Sequence, residues 1–201
     1  MLKAVGFDLD NTIYLHKDFE FEVYKKISKL VSRKYKIKKE KYFDNLVQLF
    51  NNNKQIETFN KAMIKTVCHL PVDWDQFVLE EILQIYRNFK PDLKPDETII
   101  NLIKFFNNAG LITVLITNGN SNVQNNKIDA LGIRNYFEKI YISDDCNRKA
   151  RKPALTMFEM FLKDFDVEPS ECLYIGDNIE TDRICERIGI QFLHFDLQDK
   201  Q

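Results

Sequence analysis

The chain has 201 residues, enough to bury a sizeable core and fitting one large domain or a domain that carries an insertion. Its 29 Lys and Arg nearly balance 30 Asp and Glu, and the formal net charge of -1 excludes a global attraction to nucleic acid or to an anionic membrane. Cys68, Cys146, Cys172 and Cys185 lack the paired spacing of a zinc site or redox dithiol, and no apolar stretch reaches the roughly 18 to 20 residues that span a bilayer. No charged leader followed by an apolar segment precedes Asp8, so the chain reads as cytoplasmic, with reduced thiols and no membrane contact.

In chain order, Val5-Gly6-Phe7 and its neighbours read as a short buried strand. The region from Lys17 to Phe89 then reads as three or four amphipathic helices, rich in Lys, Asn, Phe and Tyr and poor in Gly. Its representative apolar positions are Val23, Ile27, Leu30 and Val31, then Phe43, Leu46 and Phe50, then Phe77, Ile82, Leu83 and Tyr86. Within it, Lys25 to Lys41 holds nine Lys or Arg and a single acid, Glu40, a composition that fits a solvated helix face. Aromatic residues in and beside the region, Tyr14, Phe19, Phe21 and Trp74, fit core packing better than stacking on a ligand.

Pro91 and Pro95 mark a return to a second rhythm. Asp96 can cap a helix whose apolar positions Ile99, Ile100, Leu102, Ile103 and Phe106 share a face, with Gly110 closing it. Strand patterns follow at Leu111 to Ile116, Lys139 to Ile142, Leu173 to Ile175 and Gln191 to Phe195. Helical patterns alternate with them at about Val123 to Leu131, Ala154 to Lys163 and Ile179 to Ile188. This alternation predicts an α/β fold, a Rossmann-like, doubly wound parallel sheet of five strands, formed by residues 1-16 and 90-201, with a helical insertion over 17-89.

Asp8 and Asp10, in Asp8-Leu9-Asp10-Asn11-Thr12, put two like charges one residue apart where the first strand ends. The spacing proves nothing alone, since Asp73-Trp74-Asp75 and Asp164-Phe165-Asp166 repeat it. Three further segments fall at strand ends or a helix entrance: Ile116 to Asn120, Arg151 to Pro153 and Gly176 to Asp182. In an open parallel sheet such ends converge on one ligand crevice.

Asp8-Leu9-Asp10-Asn11-Thr12, then Thr117-Asn118-Gly119, then Lys152-Pro153, then Gly176-Asp177 with Asp182, in that order, resemble the haloacid dehalogenase-like hydrolase superfamily, in its helical-cap subfamily I. The likeness covers residues 1 to 16 and 90 to 196, while 17-89 is similar to the cap only by position and helical character. "TNGNSNVQNNKIDALGI" and "GDNIETD" look like the branch of N-acylneuraminate-9-phosphatases and pyrimidine 5'-nucleotidases. The chain departs from that pattern at Lys149, where Gly is frequent, and at Cys185-Glu186-Arg187, where small residues are.

The resemblance implies a phosphoric monoester hydrolase that forms an aspartyl phosphate on Asp8, with Asp10 as general acid and base. It also implies Mg2+ on the Asp8 carboxylate, the Asp10 backbone carbonyl and the Asp177 carboxylate. Thr117, Asn118 and Lys152 would bind the phosphoryl group, and Asn178 and Asp182 would stand behind them, orienting waters or Lys152. A cation also answers the electrostatic objection to the Asp8/Asp10 pair, which would otherwise raise each other's pKa.

A small phosphorylated metabolite, a sugar phosphate or nucleoside monophosphate, is the implied partner, with no nucleic acid. A phosphotransferase or mutase would use the same residues, and a regulatory protein would keep the fold but lose a carboxylate that is present here. A dehalogenase fits less well, because displacing halide needs neither the acid at Asp10 nor a metal. His16 reads as a surface histidine that could reach substrate, and His69 and His194 as structural.

Overall fold

The computed structural model describes residues 1–36, 38, 40–44, 76–146 and 148–200. The chain divides into two compact units, Met1–His16 with Asp92–Gln201, and Lys17–Pro91. Leu46, Phe50, Cys68, His69 and Trp74 lie outside the described residues.

The larger unit is built on five parallel strands, β1 (Ala4–Phe7), β2 (Ile112–Thr117), β3 (Lys139–Ile142), β4 (Cys172–Gly176) and β5 (Gln191–His194), in the order β3-β2-β1-β4-β5. This is the doubly wound arrangement that the alternating pattern predicts. All four β1 residues are buried, as a central strand covered on both faces requires. Phe7 pairs in register with Leu115 on one side and Ile175 on the other, so the chain positions that follow β1, β2 and β4 leave the sheet at one level. The strand order reverses beside β1, which puts the crevice of an open sheet at the carboxyl ends of β1 and β4.

Helices α3 (Glu97–Asn108), α4 (Ser121–Leu131) and α5 (Thr156–Phe165) accompany the sheet. Asp96 caps α3, its carboxylate accepting from the N–H groups of Thr98 and Ile99 at 3.0 and 3.2 Å. Asn120 caps α4, which starts two residues earlier than its apolar pattern suggests and ends at Gly132 with φ 66°. Met157, Phe158 and Phe161 of α5 are buried with Val114, Ile116 and Tyr174 of the strands, and the Phe158 and Tyr174 rings meet edge-on at 4.9 Å.

The helical pattern at Ile179 to Ile188 resolves differently. Asn178 Oδ1 accepts from the N–H groups of Glu180 and Thr181, closing a turn, and a short 3-10 helix over Arg183–Ile188 follows. Within it only Cys185 is buried, so the segment has no apolar stripe to hold a full α-helix against the sheet.

In the smaller unit, α1 (His16–Tyr35) buries Phe19, Val23, Ile27, Leu30 and Val31, and α2 (Gln76–Arg87) buries Val78, Leu79, Ile82 and Leu83. Phe19 packs edge-on against Tyr86, with ring centroids 5.5 Å apart. Lys25, Lys26, Lys29, Arg33 and Lys34 lie on the exposed side of α1, as a solvated basic face should. Phe77 and Phe21 depart from the core reading, at 85% and 48% exposure: Phe77 directly precedes the buried Val78 of α2, and Phe21 lies two positions from both buried Phe19 and buried Val23 of α1. Among the described residues no helix is long and apolar enough to cross a membrane, and Cys146, Cys172 and Cys185 are free thiols.

Candidate active site

Asp8 leaves the end of β1 with its N–H bonded to the Ile175 carbonyl at 2.9 Å, which ties it between β1 and β4. Its carboxylate is buried, 7% exposed, and Oδ1 accepts from Lys152 Nζ at 2.6 Å. That ammonium is also 2.5 Å from Asp182 Oδ1, 2.8 Å from the Tyr174 hydroxyl and 3.2 Å from the Ile116 carbonyl. Burial works against the charge on Lys152, yet Asp182 and Asp8 outweigh it and hold its pKa above the usual lysine value.

Asp8, Asp177 and Asp182 form an acidic cluster whose ligand oxygens lie within 4.8 Å of one another. Against one lysine, three carboxylates leave an excess of negative charge. Burial raises Asp8 well above the usual carboxylate range, Lys152 opposes this, and Asp182 and Asp177 add to it. Burial and then Asp182 push Asp177 up to about 7. An oxygen-only donor set with uncompensated charge fits a hard divalent cation. Asp182 is the least available ligand, because Lys152 takes one oxygen and the Asn178 N–H takes the other at 3.1 Å. Among the described residues the Asp177 carboxylate receives a 3.3 Å contact from the Asn11 amide, and the backbone carbonyl of Asp177 meets His194 Nε2 at 2.8 Å.

Asp10 sits in different surroundings. Its Oδ1 accepts from Tyr14 Oη at 2.6 Å and Lys127 Nζ at 2.8 Å and lies 3.0 Å from His16 Nδ1. Its Oδ2 accepts from Lys127 Nζ and from Gln124 Nε2, both at 3.1 Å. Burial opposes the charge, but Lys127 and His16 win and hold Asp10 well below the usual carboxylate range. The two aspartates of the opening motif therefore occupy opposite electrostatic environments. Asn11, at φ 57°, turns the chain between them and the start of α1.

Thr117 ends β2 and is 1% exposed, its hydroxyl oxygen accepting from Gln124 Nε2 at 2.7 Å. Asn118 spends its side chain on Lys152: Nδ2 donates to the Lys152 carbonyl at 2.9 Å, and Oδ1 accepts the Lys152 N–H at 2.8 Å. Asn178 likewise reaches the site through its backbone, which orients Asp182. The structure thus brings Asp8, Lys152, Asp177 and Asp182 into direct contact or near it, and sets Asp10 and Thr117 beside them through Gln124.

Sequence reading passed over Gln124 and Lys127 and underestimated Tyr14 and His16. Gln124 and Lys127 fall on the stripe of α4 that also carries Val123, Ile128 and Leu131, and a polar residue on a buried stripe was the available signal. His16 is no free surface residue, since its ring contacts Asp10 and Tyr14.

Comparison with known proteins shows the family. A family model for haloacid dehalogenase-like hydrolases matches residues 5–195. The chain belongs to the haloacid dehalogenase-like hydrolases. Within that family it is 36% identical over 69 residues to N-acylneuraminate-9-phosphatase of Mus musculus, a match to 34% of this chain and 27% of that protein. The chain therefore matches well under half the length of that relative. Glyceraldehyde 3-phosphate phosphatase of Methanocaldococcus jannaschii is 25% identical over 189 residues, covering 90% of this chain and 79% of its own. The fold is shared with a HAD phosphatase from Thermococcus onnurineus, at TM-score 0.69 and 22% identity over 96% of this chain and 86% of the other. It is shared equally with a subfamily IA hydrolase from Geobacter sulfurreducens, at TM-score 0.70 and 18% identity over 96% and 86% of the two chains.

Proposed function

We propose that this haloacid dehalogenase-like hydrolase is a magnesium-dependent phosphatase that cleaves a small phosphate monoester through an aspartyl phosphate on Asp8. One observation carries the reading. Asp8 lies in a buried acidic cluster against a lysine, while Asp10, two residues on, is gathered into a separate cationic set. Paired carboxylates with divergent environments are what a covalent and an acid/base role require.

Asp8 and Asp177 would hold Mg2+, with the Asp10 backbone carbonyl, and the ion would supply the positive charge that keeps Asp8 ionised and offsets charge on the phosphoryl oxygens. An Asp8 oxygen attacks phosphorus as the bond to the ester oxygen breaks, and Asp10 gives a proton to the departing alkoxide. Water then attacks phosphorus, Asp10 takes its proton, and the bond to Asp8 breaks to release phosphate. Lys152, already on Asp8, balances the incoming charge, and Thr117 donates to a phosphoryl oxygen. Lys127 and His16 favour the ionised Asp10, the base form that the second step uses, so the first step requires Asp10 to have taken up a proton from solvent before the ester bond breaks.

The N-acylneuraminate-9-phosphatase and glyceraldehyde 3-phosphate phosphatase among the relatives support a small phosphorylated metabolite as substrate, and the proposal takes residues 17-89 as the cap and the cytoplasm as the setting. Phosphate release from sugar phosphates, nucleoside monophosphates and p-nitrophenyl phosphate, with magnesium and with chelator, tests the reading. Magnesium-dependent release that disappears in Asp8→Asn is expected. Folded protein that releases phosphate from none of them would contradict it and favour transfer to an acceptor or a regulatory role.

A further inference from the structure

Helix α4 reaches back across the sheet unit to two residues of the site. Lys127 Nζ, on a side chain only 2% exposed, contacts both oxygens of Asp10, at 2.8 and 3.1 Å. One turn earlier, the Gln124 amide nitrogen touches Asp10 Oδ2 at 3.1 Å and Thr117 Oγ1 at 2.7 Å. We propose, on the strength of the phosphatase reading, that Gln124 and Lys127 are positioning residues, Lys127 aiming the Asp10 carboxyl at the leaving group and Gln124 aiming the Thr117 hydroxyl at the phosphoryl group.

The donor and acceptor inventory fixes the direction of these bonds. An ionised carboxylate only accepts, so the edge of Gln124 that faces Asp10 must be its NH2 group. The same NH2 group therefore donates to Thr117, whose oxygen accepts and whose own O–H remains to donate elsewhere. A hydroxyl turned in this way suits an anionic phosphoryl oxygen.

Asp10 follows a strand end in a turn and keeps 24% side-chain exposure, so nothing in β1 alone fixes its rotamer. Tyr14 and His16 hold Oδ1 and Gln124 holds Oδ2, while Lys127 spans both oxygens and so sets the orientation of the carboxyl plane. The close seating of α4 is visible at Gly119, where an added Cβ would stand 2.8 Å from the Gln124 side chain. Positioning of a proton donor or acceptor to within hydrogen-bond reach is what general catalysis needs.

Leaving-group chemistry separates positioning from mere structural support. A p-nitrophenolate departs with little protonation, whereas an alkoxide needs its proton from Asp10. The test compares kcat on p-nitrophenyl phosphate and on glycerol phosphate for wild type, Lys127→Met, Asp10→Asn and the double variant, with folding checked by circular dichroism. Lys127→Met is expected to lose about 100-fold on the alkyl ester and less than about 5-fold on the aryl ester. In the Asp10→Asn background it is expected to add almost nothing, because its effect passes through Asp10.

Equal losses on both esters, a further loss of similar size in the Asp10→Asn background, or faster alkyl turnover would each overturn the assignment of Lys127. Should Lys127→Met fail to fold, Gln124→Leu keeps the ion pair and tests the Gln124 half of the proposal: a kcat loss on both esters that adds almost nothing in a Thr117→Val background supports it, and unchanged kcat or a fully additive loss overturns it. Absence of phosphate release from the wild type would remove the phosphatase reading itself. That failure differs from one in which wild type turns over and Lys127→Met keeps the wild-type ratio of rates.

Discussion

Oδ1 of Asp182 stands 2.5 Å from Nζ of Lys152, with both side chains shut away from solvent. The pair fixes the ammonium that touches Asp8, and it does so from a chain position thirty residues further on. Removing one partner of a buried pair strands the other, at a cost of about 3–5 kcal/mol. Lys152→Met leaves Asp8 and Asp182 both without their cation, so a loss in that range is expected in urea unfolding. Asp182→Asn leaves Lys152 bonded to Asp8 and relieves repulsion on Asp177, so its loss is expected to be the smaller of the two. Equal losses would contradict this division.

Gly176 ends β4 beneath the same aspartate, and a Cβ there would run into the Asp182 carboxylate. Gly176→Ala must push Asp182 away from Lys152 or bend the strand. A loss of about 1–3 kcal/mol is expected from overpacking, together with lower turnover. A fully stable, fully active alanine variant would show that Asp182 can move without consequence.

The Asn118 amide grips the backbone of Lys152 by both its N–H and its C=O. Asn118→Asp would set a carboxylate oxygen against the Lys152 carbonyl and leave that acceptor unsatisfied, at a cost of about 1–3 kcal/mol. The expected signature is a lower unfolding midpoint with a greater loss of turnover than of folded protein.

Asp177 is pushed up to about 7, by burial first and by Asp182 next. Between its ordinary value of 3.8 and about 7, the folded state holds a proton that the unfolded chain has released. Its contribution to stability is thus complete below the lower value and is lost as pH rises through the higher one. A cation that binds the ionised carboxylates reverses the loss. Magnesium is therefore expected to raise the melting temperature more at about pH 8 than at about pH 5.5, as differential scanning fluorimetry would show. An equal shift at both values would contradict a site built on Asp177.

The five strands and the convergence of Asp8, Thr117 and Asp177 were legible because each residue ends or directly follows a short apolar run, and a parallel sheet brings the ends of such runs together; Lys152, in a basic loop before α5, was legible only through the motif order. Gln124 and Lys127 were not, because their shared partner Asp10 lies 114 and 117 residues away and only the helix stripe hints that they face inward. His16 and Tyr14 depend on the turn at Asn11, whose positive φ no apolar pattern encodes. Phe77 shows the converse failure: an apolar residue one step off the buried stripe of α2 faces solvent. At Ile179 to Ile188 an Asx turn at Asn178 and the inward Asp182 overrode a helical pattern.

The central claim is that Asp8 carries the phosphoryl group. Acid quench during turnover with magnesium, followed by borohydride, would reduce an aspartyl phosphate to homoserine, and peptide mass spectrometry would locate it. Homoserine at position 8, dependent on substrate and absent from Asp8→Asn, is the predicted result. Sustained phosphate release with position 8 unmodified, or undiminished turnover in Asp8→Asn, would contradict the account.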